Sequence, residues 1–274
     1  MKDGLLTIPD DGALAPVLGG AVQSRTVIHE WPLSRVERIT AENGHTAILK
    51  TQLTSASAER AFLRKVRDPA LPVPIADGVS GDCDWMLLPD YGSACEDWSG
   101  LTDEAIRERV RELCRIIARL DGDAPVFFDL STPEKLADAC RSILPTLADA
   151  GWSEDARAGL LGWAEGEAKV CFESPAALLH GDMKGENVIH AAGGVILLDW
   201  QRPIRGPEPL EEELALLLAG RESRGPFARL AAFTLGYWYA WAYRTCLPYP
   251  FVCGMAGKYL RGAMEDRQEG RGKR

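Results

Sequence analysis

His180-Gly181-Asp182-Met183-Lys184-Gly185-Glu186-Asn187, followed shortly by Leu197-Leu198-Asp199-Trp200, is the stretch from which the rest of this chain is read. An aspartate two residues after a histidine can take the proton of an attacking hydroxyl, and the amide oxygen of Asn187, five positions later, can bind a metal ion. A second carboxylate, Asp199, ends the apolar run Val195-Ile196-Leu197-Leu198, which reads as a strand delivering it to the same place. A base for the nucleophile and two oxygen ligands for the Mg²⁺ that neutralises phosphates are the parts of a phosphoryl-transfer site. The spacing therefore predicts Asp182 as the catalytic residue and Asn187 and Asp199 as metal ligands. The bland alternative, a buried Asp and Asn closing a turn between two strands, explains neither the spacing nor what lies upstream.

Such a site also needs a lysine on a strand, held by a glutamate on a helix, to grip the nucleotide phosphates. Thr46-Ala47-Ile48-Leu49-Lys50 supplies the strand and the lysine. Residues 55–68 then read as a helix: Ser55 or Ser57 can cap it, Phe62, Leu63 and Val66 fall at helical spacing, and Pro69 stops it. Glu59 is the acid of its first turns and the natural partner of Lys50. Taken singly, each is an ordinary solvated surface charge; their order and their distance ahead of Asp182 favour the functional reading.

The motif resembles the catalytic loop and metal-binding strand of the kinase-like superfamily. His-Gly-Asp at 180–182 and Asp-Trp at 199–200 look like the aminoglycoside phosphotransferase and choline kinase branch, whereas Lys184 and Glu186 resemble the protein kinases. The likeness spans about residues 24 to 220. It implies an α+β, bilobal protein-kinase-like fold, with a small antiparallel sheet and one helix in residues 1–88, a hinge at 89–92 and a larger, mainly helical lobe in 93–274. It further implies Lys184 offsetting charge on the transferred group, Leu88 C=O and Asp90 N–H meeting the adenine edge, and Ser34 with neighbouring amides approaching the phosphates, since no glycine-rich loop precedes Lys50. ATP or GTP and Mg²⁺ are the implied cofactors.

After Asp199 the chain has little room for a peptide-docking segment. The next acid in a matching context, Glu213-Leu214-Ala215, stands where the small-molecule kinases carry Asp-Leu-Ala after a Gly-Pro-like turn, here Gly206-Pro207. Glu208, Glu211 and Glu212 are then expected either to face a cationic substrate or to form the acidic first turn of a helix. The run Tyr237-Trp238-Tyr239-Ala240-Trp241-Ala242-Tyr243 reads as core, with a pocket wall as the alternative, and Trp200 as a residue shaping the site.

Composition sets the outer bounds. The 274 residues suit one two-lobed enzyme, and no apolar run nears the ~20 residues of a membrane helix. A net charge of −9 disfavours a nucleic-acid partner, whose phosphates demand a basic surface. Seven scattered cysteines, an odd number without a Cys-x-x-Cys pair, fit a reducing cytoplasm, and the first residues lack a signal-peptide pattern. The expectation is a cytoplasmic small-molecule kinase, monomer or homodimer, acting on a hydroxylated and in some cases cationic substrate, with antibiotics the leading class. A metabolic kinase of choline, a sugar or an amino alcohol is the alternative; a protein kinase or a pseudokinase follows behind, the latter disfavoured because Lys50, Asp182, Asn187 and Asp199 are all present.

Overall fold

The computed structural model describes residues 6–92, 95–120 and 122–264, which fall into two compact units. The first lies within Met1–Asp97, Leu120–Phe127 and Lys184–Pro203; the second lies within Trp98–Arg119, Phe128–Met183 and Ile204–Arg274. The residues read as a hinge, 89–92, are inside the first unit. The polar tail 265–274, expected to fray, lies outside the described residues.

In the first unit, α1 (Asp11–Leu18) precedes strands β1 (Val22–Trp31), β2 (Ser34–Ala41) and β3 (Thr46–Leu53). After α2 (Glu59–Lys65) come β4 (Ala76–Ser80) and β5 (Cys83–Pro89), completing an antiparallel sheet in the order β1-β2-β3-β5-β4. The strand period of two sends successive side chains to opposite faces. Ala47 and Leu49 of β3 thus join Ile39, Ala41 and Leu87 beneath Leu14 and Leu18 of α1, all buried. Lys50 and Gln52 occupy alternating positions on the same strand, and both meet Glu59 of α2. That helix is shorter than expected: residues 54–56 form a 3₁₀ turn, and the Ser57 hydroxyl accepts the Glu59 N–H at 3.1 Å, so the helix starts at Glu59.

The second unit opens with α3 (Asp103–Ile117), whose Ile106, Val110, Leu113 and Ile117 are buried at helical spacing. A three-stranded sheet follows, in which β10 (Ile204–Pro207) lies between β6 (Phe128–Asp129) and β7 (Ala176–Leu179). The hairpin β8 (Val188–Ala191) and β9 (Gly194–Leu197) belongs to the first unit. Thr132 caps α4 (Pro133–Asp149) and Ser153 caps α5 (Glu154–Glu165), each accepting a backbone N–H. Three helices complete the unit: α6 (Leu210–Leu218), α7 (Pro226–Thr245) and α8 (Pro250–Met264).

The last two helices approach closely at Gly236, where an added Cβ would sit 2.6 Å from Leu260 Cγ and 3.0 Å from the Leu260 backbone nitrogen. Gly236→Ala is therefore expected to cost about 1–3 kcal/mol of unfolding free energy through overpacking. Urea denaturation reads this directly, and an unchanged midpoint would contradict the close approach. Among the described residues no helix is long and apolar enough to cross a membrane. The seven cysteines are free thiols.

Candidate active site

Lys50 sits between two carboxylates in the first unit. Its Nζ lies 2.6 Å from Glu59 Oε2 and 2.6 Å from Asp199 Oδ1, and the three side chains are 9%, 1% and 26% exposed. Burial alone would drive the proton off Lys50, but Asp199 and Glu59 override it and hold the ammonium above its ordinary range. Burial also lifts the Glu59 carboxyl, against the pull of Lys50.

Glu59 does more than fix the lysine. Its Oε2 also accepts from Gln52 Nε2, while the Ser57 hydroxyl bonds the other end of that amide. Its Oε1 accepts the backbone N–H of Trp200 at 3.2 Å, and Ala58 N–H donates to Gln201 C=O at 2.8 Å. Trp200 is fully buried and stacked on Phe62 of α2, centroids 4.3 Å apart and planes 8° from parallel, with its indole N–H on Leu197 C=O at 3.0 Å. The start of α2 and residues 199–201 are thereby one hydrogen-bonded and stacked unit. Asp199 is the one non-glycine residue with positive φ among the described residues, at 67°. Such a backbone costs of order 1–3 kcal/mol and persists where its surroundings over-determine it.

The metal-ligand pair expected from the motif is brought together by the β8–β9 hairpin. Val188 pairs with Leu197, and Leu198 N–H donates to Asn187 C=O at 2.8 Å, so Asn187 stands beside the residue preceding Asp199. Asn187 is 6% exposed. One carboxylate and one amide oxygen fit Mg²⁺, which takes few protein ligands and completes its shell from phosphates and water. Among the described residues no cluster of three or more His, Cys, Asp or Glu forms a metal site.

The other expected residues of the first unit lie as follows. Lys184 is paired with Glu186 at 3.3 Å. Leu88 is on β5, and Ser34 opens β2 opposite Trp31 and Gln52, buried. The Asp90 carboxylate is clamped by Arg38 at 2.7 and 3.4 Å and by Gly92 N–H at 3.0 Å. Burial would raise its pKa, but these donors hold it below the usual carboxylate range. Neither Arg38 nor Gln52 was anticipated; the period-two relation of Gln52 to Lys50 was the available signal.

In the second unit, β7 ends at Leu179 and leads into a buried loop in which His180 is 0% and Asp182 8% exposed. Gly181 has φ of 79°, a conformation that glycine adopts without a Cβ clash, and Asp182 N–H reaches His180 Nδ1 at 3.3 Å. Beneath the loop is Glu211, fully buried, both oxygens 3.2 Å from Gly181 N and further bonded by the backbones of His180 and Met183. Burial, aided by the charge of Asp182, pushes its carboxyl up to about 7 against those bonds.

The acid that bonds the His180–Met183 loop is thus Glu211, two residues before the Glu213 of the matching Glu-Leu-Ala context. Glu213 instead pairs with Arg107 at 2.5 Å and with the Ser223 hydroxyl, and Glu212 pairs with Arg111 at 2.9 Å. Glu211, Glu212 and Glu213 form the acidic first turn of α6, one of the two roles expected of the acidic run, and are engaged with the protein's own groups, whereas Glu208 is exposed. The aromatic run packs largely within the unit. Tyr237 meets Phe128 and Phe233 at 4.7 and 6.0 Å, Trp241 meets Phe128 at 6.3 Å, and Tyr239 stacks on Tyr259 at 5.7 Å.

The five-stranded antiparallel sheet of the first unit and the mainly helical second unit are those of an α+β, protein-kinase-like phosphotransferase. The chain belongs to the phosphotransferase enzyme family APH, which matches residues 30–249. It is a small-molecule kinase of that family. A search of curated proteins found no sequence match. Solved structures with the same fold include a macrolide 2'-phosphotransferase from Brachybacterium faecium, with 16% identity, TM-score 0.57, and coverage of 96% of this chain and 99% of that one. Another is an ethanolamine kinase from Plasmodium vivax, with 10% identity, TM-score 0.62, and coverage of 88% and 82%. A choline kinase from Cryptosporidium parvum Iowa II gives 10% identity, TM-score 0.55, and coverage of 89% and 88%.

Proposed function

We propose that this kinase transfers the γ-phosphate of ATP or GTP to a hydroxyl group of a small antibiotic. The observation that carries the phosphotransfer reading is Lys50, buried and charged between Glu59 and Asp199, with Asp199 next to the residue that bonds Asn187. Asp182 would orient the acceptor hydroxyl and take its proton. Asn187 and Asp199 would hold Mg²⁺, which when bound supplies neutralisation of the phosphate charge. Lys50 would grip the nucleotide phosphates, kept in place by Glu59, and Lys184 would balance charge on the group in transit. Leu88, Asp90 and Ser34 are proposed to line the nucleotide through backbone groups and, for Ser34, its hydroxyl. Catalysis then rests on positioning and electrostatics rather than on covalent chemistry by the protein.

Two observations support a small acceptor. Only 12 positions separate Asp199 from Glu211 (211 − 199), too few for a peptide-docking platform. The macrolide phosphotransferase shares the fold over nearly the whole of both chains, which supports an antibiotic acceptor. The ethanolamine kinase likeness favours a second reading, phosphorylation of a metabolic amino alcohol. Engagement of Glu211 and Glu212 within the protein takes away two of the three acids foreseen for a cationic acceptor, leaving Glu208, and so supports a neutral hydroxylated one.

A nucleotide-turnover screen over hydroxylated antibiotics, choline, ethanolamine and sugars separates these readings. Turnover on an antibiotic, with a raised inhibitory concentration when the protein is expressed in a sensitive bacterium, is expected. Turnover confined to amino alcohols or sugars would move the assignment to the metabolic reading. The metal assignment has its own test. Asp199→Ala is expected to weaken nucleotide binding far more with Mg²⁺ present than without it, as read by calorimetry, and equal losses under both conditions would refute ligation by Asp199.

A further inference from the structure

Along α6, from Glu213 to Leu217, the second unit contains a cavity of about 780 Å³ bounded also by residues within 220–229 and by α8. Its volume is in the range of small-molecule pockets, roughly 300–1,000 Å³. Leu217, Ala232 and the Tyr259 ring give it apolar walls.

The charges around it are unevenly satisfied. Of its acids, Glu167 is paired with Arg229 at 2.7 Å and Glu213 with Arg107 at 2.5 Å, and Glu222 is engaged as well. Arg221 donates to the carbonyls of Leu101 and Ser99 at 3.1 and 3.4 Å. Arg224 and Lys258, both exposed on the cavity wall, pair with no carboxylate among the described residues. Two cations without a carboxylate, of which Lys258 lies 5.6 Å from the Tyr259 ring centroid, suit a doubly charged oxyanion on an apolar body, since charge-assisted hydrogen bonds to phosphate are the strong ones.

We infer that this cavity is a second ligand site, separate from the phosphotransfer centre, for a small phosphomonoester with an apolar substituent. Leu217 is six residues from Glu211 on α6, about 9 Å along the helix axis at 1.5 Å per residue. The occupant therefore rests against the helix whose first turn holds Gly181. Binding is transmitted to the loop through that one rigid element.

Phenyl phosphate is the probe, titrated calorimetrically into the full chain with inorganic phosphate and benzyl alcohol as controls. Single-site binding of phenyl phosphate is expected, at least about tenfold tighter than either control. The double variant Arg224→Ser/Lys258→Ser should lose at least about tenfold in affinity. The charge-keeping pair Arg224→Lys/Lys258→Arg should stay within a few-fold of wild type, which guards against a folding artefact. Equal affinity in the Ser variant, or for inorganic phosphate, overturns the site. Amide hydrogen exchange at Gly181 should slow when phenyl phosphate binds, and unchanged exchange at saturation overturns the link through α6.

Discussion

Asp182→Asn is expected to lower turnover by about 10²–10⁴-fold, the usual loss when a general base is removed, while nucleotide affinity stays within a few-fold. The amide matches the carboxylate in size, so the buried loop that carries it keeps its shape. What disappears is the capacity to take the acceptor proton and the negative charge that orients the hydroxyl. A further effect reaches Glu211, because the charge on Asp182 helps to raise its carboxyl. Retention of more than about a tenth of kcat at saturating substrate would remove Asp182 from its assigned role.

Glu211→Ala should be nearly as damaging, and it acts on folding as well as rate. It strands backbone N–H groups of a fully buried loop, each at a cost of about 1–3 kcal/mol. Both stability and kcat should fall, whereas Glu211→Gln, which retains one acceptor oxygen, should lose less of each.

The pH dependence has a definite sign. Glu211 titrates near 7 in the folded protein against an ordinary 4.5, so between those values the folded state binds more protons than the unfolded one. Stability therefore falls as pH rises through this window. The ionisation penalty is absent below about 4.5 and complete above about 7, where it amounts to about 3 kcal/mol. Urea unfolding of wild type and Glu211→Gln at pH 5 and 8 should show that component of the slope missing from the variant. An identical slope in both proteins would show that Glu211 is not the titrating group.

Much of the candidate site is legible in the chain because its residues lie in short segments of strong pattern. Asp182, Asn187 and Asp199 sit within one loop and hairpin, and Lys50 and Glu59 on a strand and helix whose apolar spacing is plain. The places where reading failed are those in which the deciding contact is distant in sequence. Three consecutive glutamates, Glu211 to Glu213, are alike in composition, but each helical step turns the side chain by about 100°, so only the docking of α6 selects Glu211 for the catalytic loop. The helix α1 escaped notice because it has eight residues with Pro16 among them, and its stability comes from Leu14 and Leu18 covering the sheet. The edge strand β4 shows no inside-outside alternation in its burial, so its sequence carried no period-two signal.

The stack of Trp200 on Phe62, with Glu59 serving Lys50, Gln52 and the Trp200 backbone together, bears on how many states the first unit populates. Swinging α2 outward would pull one buried aromatic ring off the other and leave a buried carboxylate short of donors. Losing the stack alone costs about 3–5 kcal/mol if it resembles truncating a core aromatic. An outward-helix conformer then accounts for no more than about one molecule in 10²–10⁴. A ligand that uses Lys50 meets the lysine already aligned in nearly every molecule, and its apparent affinity equals its intrinsic one.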